Sequence, residues 1–147
     1  MVWPFNNPKE TDPLWLKIAY GEIGVKEIPG KKHNPRVIEY HNTCTYNARR
    51  DEVAWCSAFI NWCIIQAGYR GTNKVNARSW LDWGKSLPKH RGAVTVLWRE
   101  HPSSWKGHVA FYIKSNEKYV WLLGGNQSNK VCIKKYPLNK VLSYRGM

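Results

Sequence analysis

The spacing of apolar residues changes period once along this chain, and that single change constrains the fold more than any one residue does. Up to about residue 84 the apolar positions recur at helical spacing. From Ala93 onward they fall in short runs rich in β-branched and aromatic residues, separated by turn residues. Helices first and consecutive strands afterwards predict an α+β fold. Strands joined by short turns pair antiparallel, because no helix intervenes to carry a crossover.

The helical half is punctuated by recognisable ends. Asp12-Pro13 offers an N-cap and a proline at the first helical position, and Leu14, Trp15, Ile18, Ala19 and Ile23 follow on one face. Gly24 and Pro29-Gly30 stop that helix. Asn34-Pro35 repeats the start signal ahead of Val37, Ile38 and Tyr40. A polar loop over 42–52 leads to a third helix over about 55–67, ended by Gly68. Asn76 is expected to cap a fourth, short helix carrying Trp80 and Trp83, with Gly84 as its stop. The strands are expected at 93–98, 109–113, 119–123, 131–136 and 141–144. Residues 1–12 read as an N-terminal arm and 13–147 as one domain, a size that buries one core.

The formal net charge is +13, and from Lys118 onward there are six Lys or Arg and no Asp or Glu. Lys31, Lys32, Arg36, Arg49 and Arg50 face only Glu39 in the stretch 31–50. Such a field favours polyanions, whether nucleic acid, anionic lipid or an acidic cell envelope. No apolar run is long enough to span a bilayer, and Met1-Val2-Trp3-Pro4 does not open like a secretory signal. Synthesis in the cytoplasm is therefore expected. The cysteines at 44, 56, 63 and 132 form no CxxC pair, so a structural zinc is not expected; without a secretion signal the thiols are expected to be free, and no metal is predicted.

Cys56 opens the third predicted helix. Unpaired backbone N–H groups and the positive end of the helix dipole meet there, favouring thiolate over thiol and offering donors to an oxyanion. Most lone cysteines are simply buried, and Cys63, in mid-helix, is assigned to the core. His108 begins an alternating strand behind Gly107, which leaves room for an approaching group. His33, His41, His90 and His101 fall in loop-like or charged stretches and carry no comparable signal. Asn126, after Gly124-Gly125, is the candidate to orient the imidazole through its amide oxygen. A symmetric turn at Ser115-Asn116-Glu117-Lys118 would set His108 opposite Gly125 and turn Asn126 to the other face. A triad with Asn126 therefore needs an odd-length turn or a bulge, for which Gly124-Gly125 is a suitable place.

Four segments carry a family resemblance: Trp55-Cys56-Ser57-Ala58-Phe59-Ile60-Asn61-Trp62, Ala77-Arg78-Ser79-Trp80-Leu81-Asp82-Trp83-Gly84, Gly107-His108-Val109-Ala110-Phe111 and Leu122-Leu123-Gly124-Gly125-Asn126-Gln127-Ser128. In this order they resemble the CHAP and NlpC-type papain-like cysteine amidohydrolases, nearest a small subgroup of phage lysins and bacterial cell-wall enzymes. Lys26-Glu27-Ile28-Pro29-Gly30 upstream is similar to the same subgroup. The resemblance implies a papain-like fold, with N-terminal helices packed on a C-terminal antiparallel sheet, and catalysis by Cys56, His108 and Asn126. It departs at Gly124, where many CHAP enzymes carry glutamate, and no calcium loop is evident beyond Asp51 and Glu52.

The activity so implied is hydrolysis of an amide bond in bacterial peptidoglycan, without a cofactor, by a monomer that reaches the anionic envelope through its basic surface. Trp55, Trp105 and Gln127 are the candidate substrate contacts. A phage endolysin fits the charge and the missing signal, and a contact-delivered antibacterial effector would share the chemistry. A papain-like acyltransferase or transglutaminase would share the site. The reading from another class is a basic, aromatic-rich nucleic-acid-binding module, but the basic residues form no stripe and no RNP-type motif is present. No specific nucleic-acid partner is therefore expected.

Overall fold

The structure is a computed structural model that describes residues 7–28, 33–45 and 55–147. Pro29-Gly30, Lys31, Lys32, Arg49, Arg50, Asp51 and Glu52 lie outside the described residues. Three α-helices, α1 (Leu14–Gly21), α2 (Pro35–His41) and α3 (Cys56–Gln66), come first among the described residues. A 3-10 helix over Ala77–Asp82 stands where the fourth helix was expected. Six strands follow: β1 (Lys85–Ser86), β2 (Val94–Trp98), β3 (Gly107–Ser115), β4 (Tyr119–Gln127), β5 (Lys130–Pro137) and β6 (Val141–Gly146). They form one antiparallel sheet in the order β1-β6-β2-β3-β4-β5. The fold is α+β. Strand β1 escaped the sequence reading because it is two exposed residues, Lys and Ser, with no apolar pattern to betray it.

Two helix ends differ from expectation for stated reasons. The N-cap of α1 is Pro13, and Asp12 does not cap it. The Asp12 carboxylate instead accepts from Lys9 N–H at 2.6 Å and takes the Arg91 guanidinium in a two-pronged pair at 2.8 and 2.9 Å. At the other end α1 stops at Gly21, short of Ile23, because the chain turns onto the sheet. Gly24 N–H reaches Val131 O at 3.0 Å, Val131 N–H reaches Val25 O at 2.7 Å, and Glu27 N–H reaches Asn129 O at 3.0 Å. The segment thereby covers the free edge of β5, which would otherwise present unpaired backbone groups. Helix α2 begins as expected, with Asn34 accepting from Arg36 N–H at 2.9 Å.

Helix α3 is the centre of the molecule. Eight of its eleven residues are buried, and it packs against α1, α2, β3 and β4. A helix apolar on every side must be enclosed, and this one is. Its core is shared with Leu16, Val37 and Tyr40 from the other helices and with Val109, Phe111 and Leu123 from one face of the sheet. The opposite face gathers a second core around Leu97, Ala110, Tyr112, Val120 and Leu122, roofed by Tyr136 and Tyr144. Burial on both faces explains why the middle of β3 reads as a continuous apolar run. No helix among the described residues is long and apolar enough to cross a membrane.

The Asp12–Arg91 pair ties the arm to the start of the sheet. The Asp12 side chain is 1% exposed, so removing its partner would strand a buried charge. Arg91→Ala is expected to cost about 2 kcal/mol in urea unfolding at neutral pH. Burial alone would raise the Asp12 carboxyl, but hydrogen bonding and charge from Arg91, with the Lys9 N–H, hold it below the ordinary carboxylate range. The stabilisation is therefore complete above that range and is lost as pH falls through the lowered value, so wild type and variant should converge in strong acid.

Candidate active site

Cys56 is the first residue of α3 and is buried, with 9% of the residue exposed. The turn that holds it is pinned by its neighbour. Ser57 Oγ donates to Lys74 O at 2.6 Å and accepts from Trp80 Nε1 at 2.9 Å. Burial by itself would raise the Cys56 thiol. The charge and hydrogen bond of His108, with the backbone N–H groups of Val109 and Ser57, outweigh it and hold the thiol below its ordinary value. Burial would likewise lower His108, but the Cys56 thiolate and the hydrogen bond to Gln127 raise it, against opposition from the Arg99 charge. Both directions favour the form of the pair in which a thiolate faces an imidazolium.

The far side of the imidazole is held by Gln127. Its Oε1 lies 3.0 Å from His108 Nε2. Its Nε2 donates to Leu122 O at 3.2 Å and to Cys132 O at 2.7 Å. Two carbonyls at the nitrogen end decide which way the amide points, so the end facing the ring is the acceptor oxygen. His108 Nε2 must then carry a hydrogen, and the nitrogen left to meet the thiol is Nδ1. Tyr136 adds a hydroxyl 3.1 Å from the same Nε2, with its ring tilted 34° at 5.2 Å from the imidazole.

Asn126 does not take the orienting role expected of it. Two one-residue irregularities set the register, one in β3 between Tyr112 and Lys114 and one in β4 between Gly124 and Gln127. Continued from Phe111↔Leu123, the ladder would bring Asn126 opposite His108. The bulge in β4 inserts a residue, with Asn126 at φ 56°, and carries Gln127 onto the face that His108 occupies. The bulge lies where Gly124-Gly125 suggested. The residue it delivers is the next one along.

Gln127 is accordingly not a substrate contact: it is 1% exposed and both ends of its amide are engaged within the protein. Trp55 is also withdrawn from that role. It is fully buried, stacks on Tyr40 at 5.8 Å and donates Nε1 to Glu27 at 3.0 Å. Trp105 remains available, 76% exposed on the loop just before His108. That loop is latched by Arg78, which donates to Lys106 O at 2.8 Å, Pro102 O at 2.8 Å and His101 O at 3.0 Å. Sequence reasoning assigned no role to Arg78 or Tyr136. Their partners are backbone carbonyls and a residue two strands away, and neither leaves a local pattern.

The other candidates fall as their positions suggest. Cys63 is fully buried in α3, and burial pushes its thiol well above the ordinary value. All four cysteines are free. His90 and His101 bond locally, to Pro88 O and Ser103 Oγ, whereas His41 ends α2 and is buried, not loop-borne. Among the described residues no group of three or more His, Cys, Asp and Glu is placed to hold a metal ion.

The two glycines ahead of the bulge set the clearances. A Cβ on Gly125 would stand 2.7 Å from Phe59 Cβ and from the Trp55 ring, so this position lets the first turn of α3 lie directly on the sheet. A Cβ on Gly124 would stand 2.7 Å from Ala110 Cβ and 2.7 Å from Gln127 Oε1. A side chain at this position has no room while Gln127 fills that space. Gly124→Ala is expected to displace the amide and lower turnover by roughly ten- to a hundredfold. Overpacking against Ala110 would also cost about 1–3 kcal/mol, so the thermal midpoint should be read beside the kinetics.

Compared with protein-family models and with curated proteins, the sequence gives no match.

Proposed function

We propose that this chain is a papain-like cysteine amidohydrolase that cleaves an amide bond in bacterial peptidoglycan. The observation that carries the reading is one constellation: Cys56 at the N-terminus of a buried helix, electrostatically coupled to His108, whose Nε2 is held by the Gln127 amide oxygen at 3.0 Å. A nucleophile, a base and an orienting acceptor in that order perform acyl transfer through a covalent intermediate.

In the proposed reaction the Cys56 thiolate attacks the amide carbonyl. The developing oxyanion is stabilised by backbone N–H groups at the start of α3. His108 gives its Nδ1 proton to the departing amine as the C–N bond breaks, leaving a thioester and a neutral imidazole. The imidazole then takes a proton from water as hydroxide adds to the thioester, and the acid is released with the thiolate restored. Gln127 accepts from Nε2–H in both charge states, so the ring need not turn between the two halves. No cofactor enters.

The substrate class rests on the resemblance of the Cys56, His108 and Gly124-Gly125-Asn126-Gln127 segments to cell-wall amidohydrolases and on the charge of +13, which suits an anionic envelope. The bond is an N-acetylmuramoyl–alanine amide, a stem-peptide bond or a cross-bridge, and the biological setting that fits is a phage endolysin acting on the host wall. The test is digestion of purified peptidoglycan under reducing conditions with mass spectrometry of the released fragments. New amine termini support hydrolysis and name the bond. Absence of fragments across several wall chemistries removes the proposal, and a salt-sensitive shift of DNA by the same preparation would then favour the nucleic-acid binder. Products carrying a transferred amine would point to the acyltransferase.

A further inference from the structure

Tyr136 lies on β5, outside the segments that carry the family resemblance, yet its hydroxyl is 3.1 Å from His108 Nε2. The direction of that contact follows from the neighbours. Gln127 has its Nε2 committed to the carbonyls of Leu122 and Cys132, so Oε1 faces the imidazole and Nε2 of His108 must be protonated. A protonated ring nitrogen cannot accept from a phenol. The tyrosine oxygen is therefore a second acceptor on the same N–H, and its own hydrogen points elsewhere.

We propose that Tyr136 is a positioning residue for His108, sharing the Nε2 hydrogen with Gln127 and covering one face of the ring. This rests on the reading of Cys56 and His108 as the catalytic pair. The two acceptors come from different strands, β4 and β5, so they restrain rotation of the imidazole in two directions. The ring of Tyr136, tilted 34° at 5.2 Å, also limits access of water to the shared hydrogen. Both effects favour the imidazolium, and so the thiolate opposite it. The titratable and charged groups around the contact are Cys56 on α3, Arg99 beyond β2, and Cys132 and Lys134 on β5, the Lys134 ammonium lying 5.8 Å from the Tyr136 ring.

The experiment needs no substrate. Iodoacetamide alkylation of Cys56 is followed against pH in wild type and in Tyr136→Phe, with Cys44, Cys63 and Cys132 distinguished by peptide mapping. Tyr136→Phe keeps the ring and loses the acceptor. The expected result is an alkylation onset moved to higher pH and a rate near neutrality lowered roughly three- to tenfold, the size of one hydrogen bond. Nitrogen-15 spectra of His108 in the wild-type protein give a second reading that does not depend on any variant folding. Nε2 should be the protonated nitrogen once the ring becomes neutral.

An unchanged alkylation profile in a folded Tyr136→Phe overturns the proposal, and so does a neutral His108 protonated at Nδ1. These outcomes separate from failure of the hydrolase reading. A wild type that leaves peptidoglycan intact but shows the shifted profile loses its substrate and keeps its tyrosine. A wild type that cuts peptidoglycan with no shift keeps its activity and loses the tyrosine's role.

Discussion

Cys56→Ala is expected to abolish peptidoglycan cleavage, a fall of about 10⁴-fold or more, while Cys63→Ala leaves turnover near that of wild type. The two residues share one helix and one chemistry and differ in surroundings. Cys56 receives the His108 charge and the N–H groups of Ser57 and Val109, whereas at Cys63 burial, with the Glu22 charge, pushes the thiol up. The pH profile should carry the same signature. As pH falls through the lowered Cys56 value the thiolate is protonated and attack stops. As pH rises through the raised His108 value the leaving amine loses its proton donor. Cleavage should follow a bell, its limbs belonging to the pair, whereas alkylation of Cys56 should rise on the acid side and stay high. Equal losses in the two cysteine variants would remove Cys56 from the mechanism.

Gln127→Leu is expected to lower kcat on the order of 100-fold, while Asn126→Gly changes it by no more than about threefold. The first substitution deletes the acceptor 3.0 Å from His108 Nε2, and the second keeps a residue that tolerates φ 56° in the bulge. Leucine also leaves Leu122 O and Cys132 O without their donor, so circular dichroism and the thermal midpoint must accompany the kinetics. Gln127→Glu supplies the control. It retains an oxygen facing the imidazole but sets its other oxygen against the Leu122 and Cys132 carbonyls, so it should recover only part of the lost rate, and it should shift the alkaline limb upward because a carboxylate favours the imidazolium. A larger loss in Asn126→Gly than in Gln127→Leu would reverse the assignment.

Much of the fold was legible because it depends on local signals. Asn34-Pro35 starts α2 by satisfying Arg36 N–H, and the apolar run after Trp55 predicts the buried helix that appears as α3. The strands showed as β-branched runs, and their lack of intervening helices predicted antiparallel pairing. Asp12 illustrates the limit. Its sequence context reads as a cap, but a bidentate pair with Arg91, far along the chain, outcompetes that use. Trp55 illustrates another. A tryptophan beside a nucleophile suggests a groove, and only the packing of Tyr40, Phe59 and Gly125 around it shows a core residue.

The sequence by itself determined the α+β order of elements and the position of Cys56 at a helix start and of His108 at a strand start, and it marked Gly124-Gly125 as a place where a bulge could form. Each of these follows from residues within a few positions of one another. Only the tertiary structure decided that Gln127 and not Asn126 holds the imidazole, and that Tyr136 joins it. Those contacts depend on the register of β3, β4 and β5, which is the sum of a turn and two bulges. A shift of one residue in any of them exchanges the faces of a strand, and no local pattern reports that sum.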